Sequence, residues 1–537
     1  MTSLNQPEFV TEKFFLLNSS PMPQVFSRAE WSAAGATALL LILSFPNFEF
    51  FPLAWIALVP LLVVIARHPS PRRALLLGTL IGLVFFYATC YWLTYSMIHY
   101  GGLPTALAYV LLIGPALVVG IFPGLFALVL ALSVKKWGEW ALLLAPILWP
   151  AFEWIRLGVT GQLWNALGYS QAYHSFLIQP ARWGGVYLVS FLIVAINSVV
   201  ALLILRRTRW TIAATLVMIL MVVFVTYVSR GTEVMLRKVS TDRDLQIVAV
   251  QPNVPMTAVK SVSETNELIE RHFALSTRGL QSLGNTPNPK LVIWPESPMN
   301  FSYSNDSTLR ERLANFTKQN HTSLLFNSLE PAPNDGAYNS ALLINEEGRL
   351  ISQYDKIRLM PFGEYVPLPQ WLPGASLISG IVGEFTPGDS YTLMRVGDRR
   401  AGVFICIEAA YPWIPRRLSS DGANVLINIS NDGYLGPNAV MRQHLANAIF
   451  RAAENGKPLL RVTNTGLTAL ISDRGAVLDL TGGFQTDVRI WHEPEGTGGD
   501  TFSTRHGDLF VQTCTAITVL VFIAILFSGR RSFGRLK

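Results

Sequence analysis

The feature that most restricts how this chain can fold is a series of apolar runs, several of them long enough to cross a bilayer. A spanning helix needs about 20 mostly apolar residues. Runs at or near that length occur at Ala33–Pro46, Phe51–Ala66, Ala74–Met97, Leu103–Val134, Trp140–Ile155, Val186–Leu205, Trp210–Val228 and Leu509–Phe527. A sliding hydropathy window makes these roughly eight spans. The first two are short, which allows a tight or partly re-entrant pair. Leu103–Val134 is long, and Pro115 and Pro123 are kink positions within it. Composition points the same way. Of 537 residues, 50% are hydrophobic and only 14% are charged, where a soluble domain carries about a quarter. A wholly soluble chain is excluded.

The cations set the expected topology. The net charge of +7 is not spread over a face, as it would be for nucleic-acid binding. It is concentrated in short connectors between apolar runs: Arg67 with Arg72 and Arg73, Lys135 with Lys136, Arg206 with Arg207 and Arg209, and the tail Arg530, Arg531, Arg535 and Lys537. These fall at alternate connections, and the N-terminal segment carries Lys13 and Arg28. The positive-inside rule then puts both termini in the cytoplasm. The expected plan is a cytoplasmic tail at 1–30 and seven transmembrane helices over 31–229. A periplasmic domain at 244–492, a last transmembrane helix at 508–528 and a basic cytoplasmic tail at 529–537 complete it. The location is the inner membrane of a bacterium. The polar N-terminal stretch is too long for a signal-peptide n-region, so the first span is read as retained.

From Asp244 to about Val488 the texture changes. Leu245–Val250, Lys290–Trp294, Ser323–Phe326, Ala401–Ile407 and Asn424–Ile429 read as buried strands. Glu264–Leu283, Thr308–Gln319 and Met441–Glu454 read as helices. Hairpins are expected at Ala341–Asn345 with Leu350–Tyr354, and from Leu459 to Leu478. Strands alternating with helices predict a layered α/β domain.

Three reactive residues sit at strand ends in this region: Glu296, Lys356 and Cys406. Layered α/β folds gather chemistry where strands end. A thiol attacks as thiolate, a carboxylate can take its proton, and an ammonium favours both the thiolate and a later oxyanion. The set is complete for acyl transfer, although spacing alone does not single it out. The other cysteines, Cys90 and Cys514, lie inside apolar runs, so no disulfide framework is indicated. His444 offers a papain-like partner for Cys406 with nothing else to support it. Asn431 and Asn464 read as turn formers. The chain has no Gly-x-Ser-x-Gly, His-Glu-x-x-His, Cys-x-x-Cys, Walker or dinucleotide glycine pattern. No metal or other cofactor is expected.

At these residues the chain resembles the nitrilase (carbon–nitrogen hydrolase) superfamily and, within it, the membrane-bound apolipoprotein N-acyltransferase family. The resemblance rests on Trp294-Pro295-Glu296, on Tyr354-Asp355-Lys356 followed by Pro361, Gly363, Glu364 and Pro367, and on Cys406 with Glu408. It extends to Asn428 through Asp432, to Arg461 through Gly466, and in the membrane half to Phe45 through Trp55, Gly101 through Pro104, Glu153 through Arg156, Ala166 through Gln171 and Trp183 through Tyr187. It implies an αββα sandwich over a membrane domain of about eight helices. It also implies a two-step reaction without cofactor: a phospholipid acyl chain passes to Cys406 as a thioester, then to the α-amine of a lipoprotein's diacylglyceryl-cysteine. By motif, Glu296 is the proton acceptor, Lys356 the oxyanion support and Cys406 the nucleophile, with Glu364 and Glu408 in supporting positions. Two positions depart from the family pattern. Ile407 stands where the family has Tyr, and no Trp follows the Gln251, Asn253, Pro255 phrase. Both are expected near the site.

The stretch Leu368–Phe385 is unusually apolar for a loop. Trp371, Leu372, Ile378 and Ile381 are candidates for a lid that dips into lipid, and Tyr411 with Trp413 and Ile414 is a weaker one. Two rival readings keep the same residues. One is a membrane-anchored amidase with water as acceptor. The other is a lipid-binding relative with an impaired site.

Overall fold

The computed structural model of the chain describes residues 26–231, 245–256, 260–284, 286–333, 336–361, 363–365, 385–492 and 499–529. The apolar runs form a helical bundle. α1 (Arg28–Ser44) starts with a reciprocal cap between Ser27 and Glu30. A 3₁₀ turn at Phe51–Trp55 leads into α2 (Val59–Arg67). Then follow α3 (Pro71–Thr89), α4 (Leu93–His99), α5 (Thr105–Trp137), α6 (Ala145–Thr160), α7 (Ala181–Arg206) and α8 (Arg209–Gly231). Glycines let α3 and α5 touch backbone to backbone. A Cβ on Gly82 would stand 2.5 Å from the Gly120 carbonyl oxygen, the close approach that small residues permit between membrane helices.

Among the described residues, six helical segments are long and apolar enough to cross a membrane: Pro71–Thr89, Thr105–Trp137, Glu139–Thr160, Ala181–Arg206, Arg209–Val228 and Leu509–Phe527. The two earliest runs form shorter helices, as their lengths indicated. α5 continues through both Pro115 and Pro123. One expectation fails. Ala74–Met97 is not a single span: the helix stops at Thr89 and restarts at Leu93. The cause is external. The Thr89 carbonyl accepts from the Gln443 side chain at 2.9 Å and the Trp92 indole donates to the same side chain at 3.0 Å, so polar groups at the break find partners outside the helix.

The polar half is a sandwich of two six-stranded sheets. Its elements are β1 (Gln246–Gln251), α9 (Val262–Leu283), β2 (Lys290–Ile293), α10 (Ser307–Asn320), β3 (Ser323–Pro331), β4 (Ala337–Ile344), β5 (Leu350–Asp355), β6 (Leu393–Val396) and β7 (Arg399–Ile405). They continue with α11 (Trp413–Ser420), β8 (Val425–Ser430), α12 (Val440–Asn455), β9 (Leu459–Thr463), β10 (Ala469–Ile471), β11 (Val477–Leu480) and β12 (Asp487–His492). The sheet orders are β12-β1-β2-β3-β4-β5 and β11-β10-β9-β8-β7-β6. In each sheet the three central strands, β1–β2–β3 and β7–β8–β9, run parallel. Alternate residues divide between two faces. Ile247, Ala249, Val403, Ile405, Ile427 and Ile429 meet in the core between the sheets, while Val248, Val250, Leu309 and Leu313 form the outer core with α9 and α10. The hairpin expected over Leu459–Leu478 is instead three strands, and β12 returns to pair with β1. α13 (Phe502–His506) and α14 (Leu509–Gly529) close the described chain.

The two halves share one continuous apolar core. It runs from α1–α3 and α5–α7 to the outer face of the second sheet through α11 and α12. Tyr411 and Ile414 are buried in it, so this segment is structural core and not a lid. Trp371, Leu372, Ile378 and Ile381 lie outside the described residues. Polar contacts tie the junction at three connectors. Glu49 pairs with Arg442 at 2.6 Å. Trp92 and Trp164 both donate to the Gln443 side-chain oxygen, at 3.0 and 2.8 Å. The Gln443 amide donates in turn to the carbonyls of Pro46 and Thr89. The α7 helix breaks at Gly184 and Gly185, and the Glu454 carboxylate accepts from the freed Val186 N–H at 2.9 Å.

Gln443 is therefore satisfied on all sides by groups that are buried with it. Gln443→Leu leaves two indoles and two carbonyls unpaired, each at about 1–3 kcal/mol. The melting temperature in detergent should fall by roughly 5 °C or more. Arg417→Ala, which removes only an exposed pair with Asp421 at 2.9 Å, should leave melting within about a degree. Unchanged melting of Gln443→Leu would remove this side chain as the polar anchor of the junction.

Candidate active site

Each predicted reactive residue lies just past the carboxyl end of a strand. Glu296 follows β2 after Trp294 and Pro295. Trp294 is buried and donates through its indole to Ser276 at 2.8 Å, which fixes the base of this loop on α9. Lys356 follows β5, and its own N–H donates to the Asn339 carbonyl at 2.9 Å, across the β4–β5 pairing. Cys406 follows β7 and opens a short 3₁₀ helix, Cys406–Ala410. Its φ is +52°, a left-handed conformation that costs a non-glycine residue on the order of 1–3 kcal/mol.

All three line one cavity of about 890 Å³, together with Glu364, Asn327, Asn339, Asn431, Met256 and Tyr434. Tyr95, His99 and Tyr100 from the α4 region complete its wall on the membrane side. Lys356 is 1% exposed. Its ammonium donates to Glu296 at 3.3 Å and to Glu364 at 2.9 Å. The Asn339 amide donates to the same two carboxylates, at 2.9 and 2.7 Å. The Asn431 backbone N–H holds the second Glu296 oxygen at 3.0 Å, and the Met360 N–H holds Glu364 at 2.7 Å.

Burial alone would pull the Lys356 ammonium down, but Glu296 and Glu364 outweigh it and hold it well above its ordinary value. Burial pushes the Cys406 thiol up. Glu296 adds to that push and Lys356 opposes it. Glu408 is fully buried away from this cavity. Its carboxylate accepts from Tyr354 at 2.9 Å and from the backbone N–H groups of Ile357, Arg358 and Ile405 at 2.8, 3.0 and 2.7 Å. Burial pushes it up to about 7 against those donors. Glu408 thus ties the turn after β7 to the turn after β5, which sets Cys406 beside Lys356.

Of the two departures, Ile407 packs into the shared apolar core rather than lining the cavity. Met256, next to Pro255 of the second phrase, lines the cavity and accepts from the Asn431 amide through Sδ at 3.1 Å. His444 does not pair with the Cys406 sulfur. Its Nε2 faces the Cys406 carbonyl oxygen at 2.9 Å and its Nδ1 faces Asp432 at 2.8 Å. Asn464 does more than form a turn: it brackets Val254, accepting from its N–H at 2.7 Å and donating to its carbonyl at 2.9 Å. Sequence reasoning missed Asn339, whose only signal is its place with Ser340 near the start of a strand that ends in an apolar run. Among the described residues no group of three or more His, Cys, Asp or Glu side chains is arranged to hold a metal ion.

A half-buried thiol and carboxylate beside a buried ammonium at the strand ends of such a sandwich define a carbon–nitrogen hydrolase domain, here carried on membrane helices. Residues 249–492 match the carbon-nitrogen hydrolase family model, and residues 37–199 match that of the apolipoprotein N-acyltransferase N-terminal domain. The apolipoprotein N-acyltransferase of Geobacter metallireducens is 32% identical over 92% of this chain and 95% of its own length. Those of Allorhizobium ampelinum and Thermotoga maritima are 30% and 27% identical, over 76% and 93% of this chain and 77% and 94% of theirs. The chain belongs to the apolipoprotein N-acyltransferase family.

Because the charge of Lys356 opposes the upward push on the thiol, removing it has a defined sign. Lys356→Met should raise the pH midpoint of Cys406 alkylation by iodoacetamide. Alkylation at pH 8 should slow by about tenfold for each unit of that rise. Intact mass, with Cys406→Ala as the blank, reads the rate. Equal or faster alkylation would contradict the arrangement.

Proposed function

We propose that the Cys406 centre transfers a fatty acyl chain from a membrane phospholipid to the N-terminal amine of diacylglyceryl-cysteine in apolipoproteins. The observation that carries this is the cavity itself. One wall holds Glu296, Lys356 and Cys406, and the opposite wall is built from the helical bundle. A second cavity of about 240 Å³, mostly apolar, shares Met360, Tyr434 and Leu435 with the first and runs between Phe86, Leu112, Ala116 and Val119 of the bundle. Thiol chemistry thus adjoins space suited to hydrocarbon.

In the first half-reaction the Cys406 proton passes to Glu296 and the sulfur attacks the ester carbonyl carbon. Lys356 donates to the oxygen that gains charge. Collapse breaks the ester C–O bond, the leaving alkoxide takes the proton from Glu296, and a lysophospholipid departs. In the second half the acceptor amine attacks the thioester and gives a proton to Glu296, which returns it to the leaving thiolate. Glu364 and Asn339 position Lys356 and Glu296, and Glu408 supports the turn. The apolar residues Trp371, Leu372, Ile378 and Ile381 remain candidates for a lid over this opening.

The bacterial inner membrane, with the α/β domain on the periplasmic side, is the setting that fits. The connectors at 45–50, 90–104 and 161–180 all contribute residues that touch the α/β domain: Glu49, Trp92 and Trp164. The basic connectors lie at the opposite helix ends, where Lys136 reaches the Ala524 carbonyl and Arg206 pairs with Glu139 at 2.7 Å. With the two shorter helices counted as crossings, this alternation makes about eight spans with the cations inside.

The test is intact mass of purified protein incubated with phosphatidylethanolamine. Wild type should gain one acyl chain that hydroxylamine removes, and Cys406→Ala should gain none. Glu296→Gln should slow acylation by about 10²-fold or more. Adding a diacylglyceryl-cysteine peptide should discharge the adduct to amide. Discharge at the same rate without peptide would favour the amidase reading. No adduct on folded wild type would favour a lipid-binding relative with an impaired site.

A further inference from the structure

The left-handed turn at Cys406 (φ +52°) persists only if its surroundings hold it, and the hold is on its own carbonyl. His444 Nε2 lies 2.9 Å from that oxygen, and the Asn428 amide donates to it at 3.4 Å. His444 Nδ1 lies 2.8 Å from Asp432. Arg461 forks onto both Asp432 oxygens, at 2.9 and 3.2 Å, and also donates to the Asn428 side-chain oxygen. The contacts close on themselves: Cys406 carbonyl, His444, Asp432, Arg461, Asn428 and back to the carbonyl. All four side chains are buried, and none forms part of the cavity wall. Burial would raise the Asp432 carboxyl, but Arg461 and His444 outweigh it and bring it to about 2, so the ring keeps its anion at neutral pH. His444 is also immobilised from behind. The preceding residue on α12 is Gln443, bonded to Trp92, Trp164, Pro46 and Thr89.

We propose that this closed ring is the positioning device for the nucleophile. His444 holds the Cys406 peptide so that Sγ faces Glu296 and Lys356, and it takes no part in proton transfer. The proposal rests on the reading of Cys406 as acyl carrier. A nucleophile displaced by about 1 Å can lose on the order of 10²-fold in rate, and release of this carbonyl permits a displacement of that size.

The experiment compares His444→Leu and His444→Gln with wild type in the full chain. It measures single-turnover thioester formation from phosphatidylethanolamine, the KM for that lipid, and iodoacetamide alkylation of Cys406. His444→Leu should slow thioester formation about 100-fold with KM within about threefold. His444→Gln, whose amide can reach the carbonyl, should recover to within about tenfold of wild type. Wild-type rates in His444→Leu would overturn the proposal. So would His444→Gln as slow as His444→Leu, the result expected of a catalytic base. Should His444→Leu fail to accumulate, His444→Gln decides alone: loss of turnover beyond tenfold at unchanged melting temperature overturns the idea, and retention supports it. Alkylation separates the two readings. If wild type forms no thioester, the acyl-carrier reading fails, and slower alkylation in His444→Leu restored in His444→Gln still supports the ring.

Discussion

Helix α12 is buried on every side, and that burial constrains the rest of the molecule. Each residue from Gln443 to Asn455 is enclosed, with the second sheet against one face and the membrane bundle against the other. Ordinarily the outer helix of a sandwich turns a polar face to water. Here that face meets membrane segments, so every polar group on it must find a protein partner or carry a desolvation cost. Gln443 satisfies four groups from three connectors, Glu454 caps the membrane helix at Val186, and Arg451 pairs with Glu454 at 2.8 Å. The α/β domain and the bundle therefore have a specified relative position rather than a sliding apolar contact. Since His444 projects from the same helix to the Cys406 carbonyl, the nucleophile is located relative to the membrane helices within a few covalent bonds.

The charges at the site obey a similar rule. An isolated buried ammonium would lose its proton or stay in water. Lys356 remains charged because two carboxylates face it, and those carboxylates are in turn held by Asn339, Asn431 and Met360. Two carboxylates around one ammonium leave a local excess of one negative charge. Glu296 pushes the thiol up and Lys356 opposes it, so Lys356 has to stay close to Cys406. The strain in the backbone at Cys406 and the charge beside it are consequences of one requirement, that a reactive sulfur be brought within reach of both groups without being stabilised as a free thiolate.

How much of this was legible in the sequence differed by scale. Apolar runs announce themselves locally, both long ones such as Trp210–Val228 and the short, mostly apolar ones of the fully buried strands β1 and β8. The break in Ala74–Met97 did not, because Thr89 and Trp92 are held by Gln443, some 350 residues away in the chain. β6 is short, both β6 and β12 carry charged residues, and only their partners β7 and β1 define them as strands. Glu296, Lys356 and Cys406 were readable because each follows a strand and sits in a motif. Asp432 and Arg461 lie in stretches that carry the resemblance, but their contacts, like those of Asn339, span up to 43 residues, and no local pattern shows which groups they meet. His444 was visible as a titratable residue in a helix, but its role follows from which atom of Cys406 it faces, and that is a matter of tertiary geometry alone.

The union of a hydrolase sandwich with a bundle has an energetic reason. A chain of about 15 methylene-like carbons exposed to water costs on the order of 10 kcal/mol at roughly 0.8 kcal/mol per carbon. A soluble thiol enzyme would carry that cost inside its barrier each time it drew an acyl chain out of a bilayer. On the proposed reading Cys406 avoids most of it by lining a cavity that shares Met360, Tyr434 and Leu435 with an apolar one. The ester then needs to move only the distance between those walls while its hydrocarbon stays among apolar side chains. On the proposed reading, placing the sulfur is the task shared by α12, Glu408 and the contacts around the Cys406 carbonyl.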